Sequence, residues 1–213
     1  EPRFHASVLY NGAPWKGRKI EPYVGGADGW CQWNLEREPK GRTTTGYYLR
    51  KMVDESHDVI AYSSGTQPLS VIRLAEVLLN KAEACYRLGG QDAAANEAVK
   101  TIRARVGLPY ESKSGDELWN AIRQERKVEL AYEGLWYWDL RRWKVAHKQY
   151  PEGLTGYQQH GLKIEKNDDG TFTYTYVSVD DQDRNFPEKM YRFPMPSGEL
   201  ANNGAVDQYP EWK

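Results

Sequence analysis

Two acids carry the first chemical possibility. On a helix predicted over residues 115–133, Glu125 and Glu129 fall one turn apart on the face that also holds Leu118, Ile122 and Tyr132. Carboxylates set among apolar neighbours either work as an acid/base pair with shifted pKa values, as glycoside hydrolysis requires, or are neutralised by guanidinium groups such as Arg126, Arg141 or Arg142. No nucleophile or metal ligand stands at a matching spacing, so the ion-pair alternative is preferred. His5, His57, His147 and His160 stand alone, with no i, i+4 pair and no HExxH. Asp180, Asp181 and Asp183 lack the order of an EF-hand loop and read as a solvated segment. Gly25-Gly26-Ala27-Asp28-Gly29 fits neither GxGxxG nor a Walker loop, and Cys31 and Cys85 have no CxxC or metal-site spacing. The residues predict no enzyme, no metal site and no cofactor.

The aromatic residues point elsewhere. The chain has 8 Trp and 15 Tyr against 4 Phe, a preference for rings with a polar handle that suits half-wet surfaces. Trp136 and Trp143 recur at helical period and are assigned to packing, and Tyr174 and Tyr176 to one face of a hairpin. Trp15, Tyr23, Trp30 and Trp33 have no period and stand among glycines. A ring held on a loop stacks on the apolar C–H face of a sugar, while neighbours such as Asn34, Arg37 and Arg42 bond its hydroxyls. The competing role for each ring is to pin its loop down.

The elements that must position these groups follow from pattern. Residues 3–20 alternate loosely around Asn11-Gly12 and read as a strand and turn, followed by a glycine-rich irregular region to residue 48. Over residues 69–88, Arg73, Glu76, Asn80, Glu83 and Arg87 form one narrow wet stripe on an otherwise apolar helix, which Gly89-Gly90 ends. A second helix buries Ala95, Ala98, Val99, Ile102 and Val106, so alanine lies at the contact of a tetratricopeptide-like pair. Such a pair needs neighbours to cover its outer apolar face. Ser114 and Glu117 have capping-box spacing at the start of the third helix, and a fourth places Trp136, Leu140, Trp143 and His147 on one face. Two alternating runs flank Asn167-Asp168-Asp169-Gly170 as a β-hairpin with a four-residue loop, and a proline-rich tail with a short turn capped near Ser197 closes the chain. The expected fold is mainly α with irregular loops and a small β-hairpin. Its parts are a loop-rich segment with a strand pair at 1–68, four helices at 69–150, and the hairpin and extended tail at 151–213, all within one domain.

The chain has 213 residues and a formal charge of −1, which leaves no net positive surplus for nucleic acid or an anionic bilayer. A mean hydropathy of −0.81 and the lack of a long apolar run exclude a membrane-spanning helix. The start at Glu1-Pro2-Arg3-Phe4, without Met or an apolar leader, is expected of a piece of a longer protein.

Taken together, the helical motifs and tail resemble the C-terminal portion of the SusD/RagB family. The resemblance is carried by Ile72-Arg73-Leu74-Ala75-Glu76-Val77-Leu78-Leu79-Asn80-Lys81-Ala82-Glu83-Ala84 and by Ile122-Arg123-Gln124-Glu125-Arg126 with Glu129-Leu130-Ala131-Tyr132-Glu133-Gly134. Trp138-Asp139-Leu140-Arg141-Arg142-Trp143, Tyr191-Arg192-Phe193-Pro194-Met195-Pro196, Glu199-Leu200 and Gln208-Tyr209-Pro210 extend it, and Pro2-Arg3-Phe4 and Thr45-Gly46-Tyr47-Tyr48-Leu49-Arg50-Lys51 also fit. The resemblance implies a SusD-like fold of tetratricopeptide-like helical hairpins. It also implies a non-catalytic, surface-exposed lipoprotein of the outer membrane of Bacteroidetes-type bacteria that binds oligosaccharide or polysaccharide for a SusC-like TonB-dependent transporter. The lipid anchor would sit on an N-terminal part absent from this sequence. Family sugar sites use aromatic platforms on variable loops, so only the type of residue carries over: Trp15, Tyr23, Trp30 and Trp33 with Asn34 and Arg42. The alternative is a tetratricopeptide-type protein-interaction scaffold without direct glycan binding.

Overall fold

The computed structural model describes residues 1–31, 43–58, 61, 65, 67–68, 70–179 and 182–213. The chain divides into two compact units, one of Glu1–Trp136 with His160–Val179 and one of Tyr137–Gln159 with Asp180–Lys213. The architecture is the expected one, mainly helical with a few short antiparallel strand pairs.

In the first unit, the segment predicted as a strand begins instead as helix α1 (Pro2–Ser7) before strand β1 (Val8–Leu9). Pro2 supplies a pre-set φ at the first turn, and the Glu1 carboxylate caps it by accepting from Arg3 N at 3.2 Å. Alternation alone could not reveal this, because the apolar and polar residues of a six-residue helix fit either period. The turn expected at Asn11-Gly12 forms, with Ala13 N donating to the Tyr10 carbonyl at 2.9 Å, but it leads out of β1 and does not join two paired strands. Strands β2 (Pro14–Trp15) and β3 (Arg18–Lys19) pair across Lys16-Gly17, both at positive φ as a tight two-residue turn requires, while β1 pairs with β4 (Tyr48–Leu49).

Helices α2 (Leu74–Leu88) and α3 (Asp92–Arg105) pack through Ala82, Ala95, Ala98 and Val99, and α4 (Gly115–Glu129) closes the cluster with Leu118 and Ile122. All six are essentially removed from solvent. Small alanines let the helix axes approach closely. Trp119 of α4 stacks on Tyr86 of α2 at 5.3 Å, with the Arg87 guanidinium 4.4 Å from the Trp119 ring. The stripe of α2 predicted to face water behaves otherwise. Arg73 bonds Glu129 and Glu133, Asn80 accepts from Arg126, and Glu83 is buried, whereas Val71, Ile72, Leu74, Val77 and Leu88 are exposed. The broad apolar face expected to need a neighbour is thus present.

Ser114 stands at the N-cap of α4 in extended conformation but makes no side-chain cap bond. The helix stops at Glu129, four residues earlier than predicted. Lys51 Nζ donates to the Glu129 and Ala131 carbonyls at 2.9 Å each, and Arg73 Nη2 donates to the Glu129 carbonyl at 2.7 Å. Two cations therefore satisfy the carbonyls that a longer helix would have used itself. Strands β5 (His160–Lys166) and β6 (Phe172–Ser178) form the expected hairpin, but its loop, residues 167–171, is one residue longer than the four expected, because Asn167 N donates to the Thr171 carbonyl and draws Thr171 into the turn.

The second unit holds all but the first residue of α5 (Trp136–Arg142). Lys144 at φ 58° turns the chain, so Trp143 and His147 lie beyond the helix and only Leu140 of the predicted face is fully buried. The Arg141 guanidinium carbon lies 4.5 Å from the Phe193 ring centre and 5.5 Å from those of Tyr137, Trp138 and Phe186. It also donates to the Tyr191 carbonyl at 3.0 Å. The tail carries helix α6 (Ser197–Asn202), in which Ser197 is the first helical residue and Pro196 the cap.

Candidate functional site

The loop after β3 is built as a rigid mount. Arg18 grips the Asp28 carboxylate with both nitrogens, at 2.7 and 2.6 Å, and Glu21 N donates to the same carboxylate at 2.7 Å. The Arg18 bond comes first among the causes that hold the Asp28 carboxyl below the usual range. The Tyr48 hydroxyl donates to the Asp28 carbonyl, and Val24 N donates to the Ile164 carbonyl at 2.8 Å, tying the loop to strand β5. Gly26 has no room for a side chain, since a Cβ there would overlap the Glu21 carbonyl.

On this mount the predicted rings occupy different places. Trp15, half-buried on β2, packs against Leu9, Ala13 and Ile20. Tyr23 packs its ring 5.4 Å from Phe172 on β6, with Lys166 Nζ 5.7 Å from it. Trp30 is half-buried beside Cys31. Among the described residues no ring contact joins Tyr23 to Trp15. Trp33, Asn34 and Arg42, like Arg37, lie outside the described residues.

The structure adds rings that pattern did not single out. Phe4 of α1 stacks on Tyr10 at 5.4 Å and meets Tyr47 edge-on at 6.3 Å, and His5 Nδ1 lies 2.9 Å from the Tyr10 hydroxyl. Phe4 and Tyr47 wall a cavity of about 720 Å³ that Lys127, Val128 and Tyr132 close from the side of α4. Tyr132 is exposed and held at φ 67°, a conformation that non-glycine residues seldom adopt. Phe4, Tyr10 and Tyr47 also border a smaller cavity of about 190 Å³ against Tyr174 of β6. Concave surfaces lined by rings and a few polar groups bind small polar-faced ligands. Phe4 and Tyr10 were hidden by the strand assignment. The adjacent Tyr47 and Tyr48 were the only available signal for that wall.

The acid pair on α4 is fully engaged. Glu125 accepts from Arg3 at 2.5 Å and Arg103 at 3.1 Å, and Glu129 accepts from Arg3, Arg73 and Arg105 at 2.7–3.0 Å. Guanidinium groups do engage the acids, from Arg3, Arg73, Arg103 and Arg105; of those expected, Arg126 donates to Asn80, Arg141 to the Tyr191 carbonyl and Arg142 to Asp139. Burial works to raise the Glu129 pKa, and the bonds from Arg73 and Arg3 outweigh it and hold the carboxyl below its ordinary value. A carboxylate kept charged in this way has no proton to give as a general acid. Among the described residues no group of three or more His, Cys, Asp or Glu gathers to hold a metal ion.

The model of the SusD family matches residues 1–212. A SusD-like protein P2 of Formosa agariphila is 37% identical over 93 residues, which span 39% of this chain and 18% of that protein. The crystal structure of a SusD-like protein from Bacteroides fragilis superposes with a TM-score of 0.76 at 27% identity, over 99% of this chain and 38% of that one. A structure designated BT4246 superposes with a TM-score of 0.74 at 24% identity and shares the fold. The chain therefore spans less than two fifths of the length of these structures.

Proposed function

The chain belongs to the SusD family, and from that premise we propose that it takes part in nutrient uptake by binding oligosaccharide or polysaccharide without catalysis and delivering it to a SusC-like TonB-dependent transporter. The protein would act at the outer-membrane surface, held by a lipid anchor. No helix among the described residues is long and apolar enough to cross a membrane. The observation that carries the reading is a set of half-buried rings, Tyr23 and Trp30 on a loop fixed by the Arg18–Asp28 pair and the Tyr48 hydroxyl, and Trp15 on strand β2, which pairs with the strand leading into that loop. A ring that is already immobilised loses little freedom on stacking against a sugar. The engagement of Glu125 and Glu129 by arginines supports binding over hydrolysis. Trp33, Asn34 and Arg42 are proposed as further members of the platform.

The exposed apolar residues around the start of α2, Val71 and Ile72 before it and Leu74 and Val77 within it, favour a second reading in which the chain is a protein-interaction scaffold. Screening the protein on an array of immobilised glycans separates the two. Retention on at least one glycan, with quenching of Trp fluorescence in solution, is expected of the first reading. Retention on none would leave the scaffold.

A further inference from the structure

We infer that strand β6 continues the loop platform into a linear aromatic strip, and that the ligand is an extended oligosaccharide contacted at several sugar rings rather than at one terminal unit. This rests on the glycan-binding reading above. On β6, Phe172, Tyr174 and Tyr176 alternate onto one face, while Thr173 and Thr175 take the other. At ~3.4 Å per residue, the three rings are set out over about 14 Å. The strip begins at the loop: Tyr23 lies 5.4 Å from Phe172, which lies 6.4 Å from Tyr174. At the far end Tyr176 lies 5.6 Å from His160.

The strip is poorly explained by packing. Tyr174 is 53% exposed and Tyr176 is 76% exposed, although their cross-strand partners on the same face, Ile164 and Leu162, are buried and half-buried. Burying a phenol face is favourable, so rings left open along one strand are a surface available to a ligand. Its chemistry suits a sugar rather than a lipid or an apolar peptide, because each open ring brings a hydroxyl and the neighbours are hydrogen-bonding groups. Asn11 Nδ2 donates to the Tyr174 hydroxyl at 3.3 Å, and the Tyr10 hydroxyl borders the small cavity beside Tyr174. Apolar ring faces flanked by amide and hydroxyl groups match the alternating C–H and O–H surfaces of a pyranose chain.

The test is calorimetry on the 213-residue chain with glucose, xylose, and the malto-, cello-, laminari- and xylo-oligosaccharides from dimer to hexamer. Wild type is expected to bind one series with affinity that rises with chain length. Tyr174→Ala and Tyr176→Ala should each weaken the longest member roughly tenfold and flatten the length dependence. Tyr176→Phe, which keeps the ring, should retain the affinity for the hexamer. Thermal melts of each variant establish that it is folded. Wild-type affinity for the hexamer in a folded Tyr174→Ala/Tyr176→Ala double variant would overturn the strip and leave the loop platform standing, as would loss of binding in Tyr176→Phe. No binding of any probe by wild type would instead remove the glycan-binding reading, and the strip with it.

Discussion

Arg3 Nη1 lies 2.5 Å from Glu125 Oε1, a contact between residues 122 positions apart that fastens the N-terminal helix to the middle of α4. The same nitrogen reaches Glu129 Oε2 at 3.0 Å, and Nε and Nη2 are held by Glu1 at 2.8 and 3.0 Å. Burial disfavours the Arg3 charge, and the carboxylates of Glu1, Glu125 and Glu129 more than offset it, so its pKa is raised. The guanidinium acts as a hub for which a single-point cation is a poor substitute.

Removing that hub should be costly. Arg3→Ala leaves two buried carboxylates short of a partner, and a loss on the order of 3 kcal/mol in urea denaturation is expected. Arg3→Lys should recover only part of it, since an ammonium cannot serve three carboxylates in one plane. A loss below about 0.5 kcal/mol for Arg3→Ala, the range of an inert surface change, would contradict the role assigned to it.

Acid should weaken the first unit. Glu129 and Glu133 are pushed up by burial and pulled down further by Arg73, with Arg3 and Lys51 adding to it, so both have folded-state pKa values below their unfolded ones. The unfolded chain then binds more protons in the interval between the two values, and stability there rises with pH. The contribution is complete above the unfolded carboxylate range of about 4.3 and is lost as pH falls through the folded values. The thermal midpoint should decline below about pH 5, and Glu133→Gln should make that decline shallower. An unchanged acid limb in Glu133→Gln would count against the assignment.

The loop rings should separate by their packing. Trp15→Ala removes a partner of Leu9, Ala13 and Ile20 and should lower stability as well as glycan affinity. Tyr23 lies over the hairpin edge, so Tyr23→Ala should lower affinity by roughly tenfold with little change in melting. Equal binding by all single variants Trp15→Ala, Tyr23→Ala and Trp30→Ala would remove the loop platform.

Gly161 should tolerate no side chain. A Cβ there would overlap Cys31 Sγ, the Thr44 carbonyl and a Val179 methyl, and the thiol already donates to that carbonyl at 3.2 Å. Gly161→Ala forces backbone to shift at the start of β5, and a loss of about 1–3 kcal/mol is expected from overpacking. Gly198, where a Cβ meets nothing within 4 Å, serves as the control, and Gly198→Ala should be nearly neutral.

The apolar flank of α2 should prove dispensable for stability. Val71 is 83% exposed and Leu74 is 72% exposed, so Val71→Ser/Leu74→Ser should leave the urea midpoint within experimental scatter while reducing self-association in sedimentation. A large drop in the midpoint would mean that the flank is packed in solution.

Much of this molecule follows from local pattern. The period of apolar residues marked α2, α3 and α4, the alternation on either side of Asn167-Asp168-Asp169-Gly170 marked the hairpin, and Gly89-Gly90, both at positive φ, marked the break between α2 and α3. Those signals act over a few residues, where hydrogen bonding and side-chain direction are set by the chain itself. The motif combination likewise sufficed to place the chain in its family. Tertiary structure alone decided what the polar residues do. Helical period put Glu125 and Glu129 on a buried face, but their partners Arg3, Arg73, Arg103 and Arg105 come from α1, the start of α2 and α3. The stripe of α2 that looked wet turned in part toward those acids, because a buried charge draws its counter-ion from wherever the packing brings one. The same holds for the rings. Sequence gives a tyrosine its handle and its face, whereas the rings that line up with it depend on which strand lies alongside, as Phe172 and Tyr174 do beside Tyr23 and Asn11.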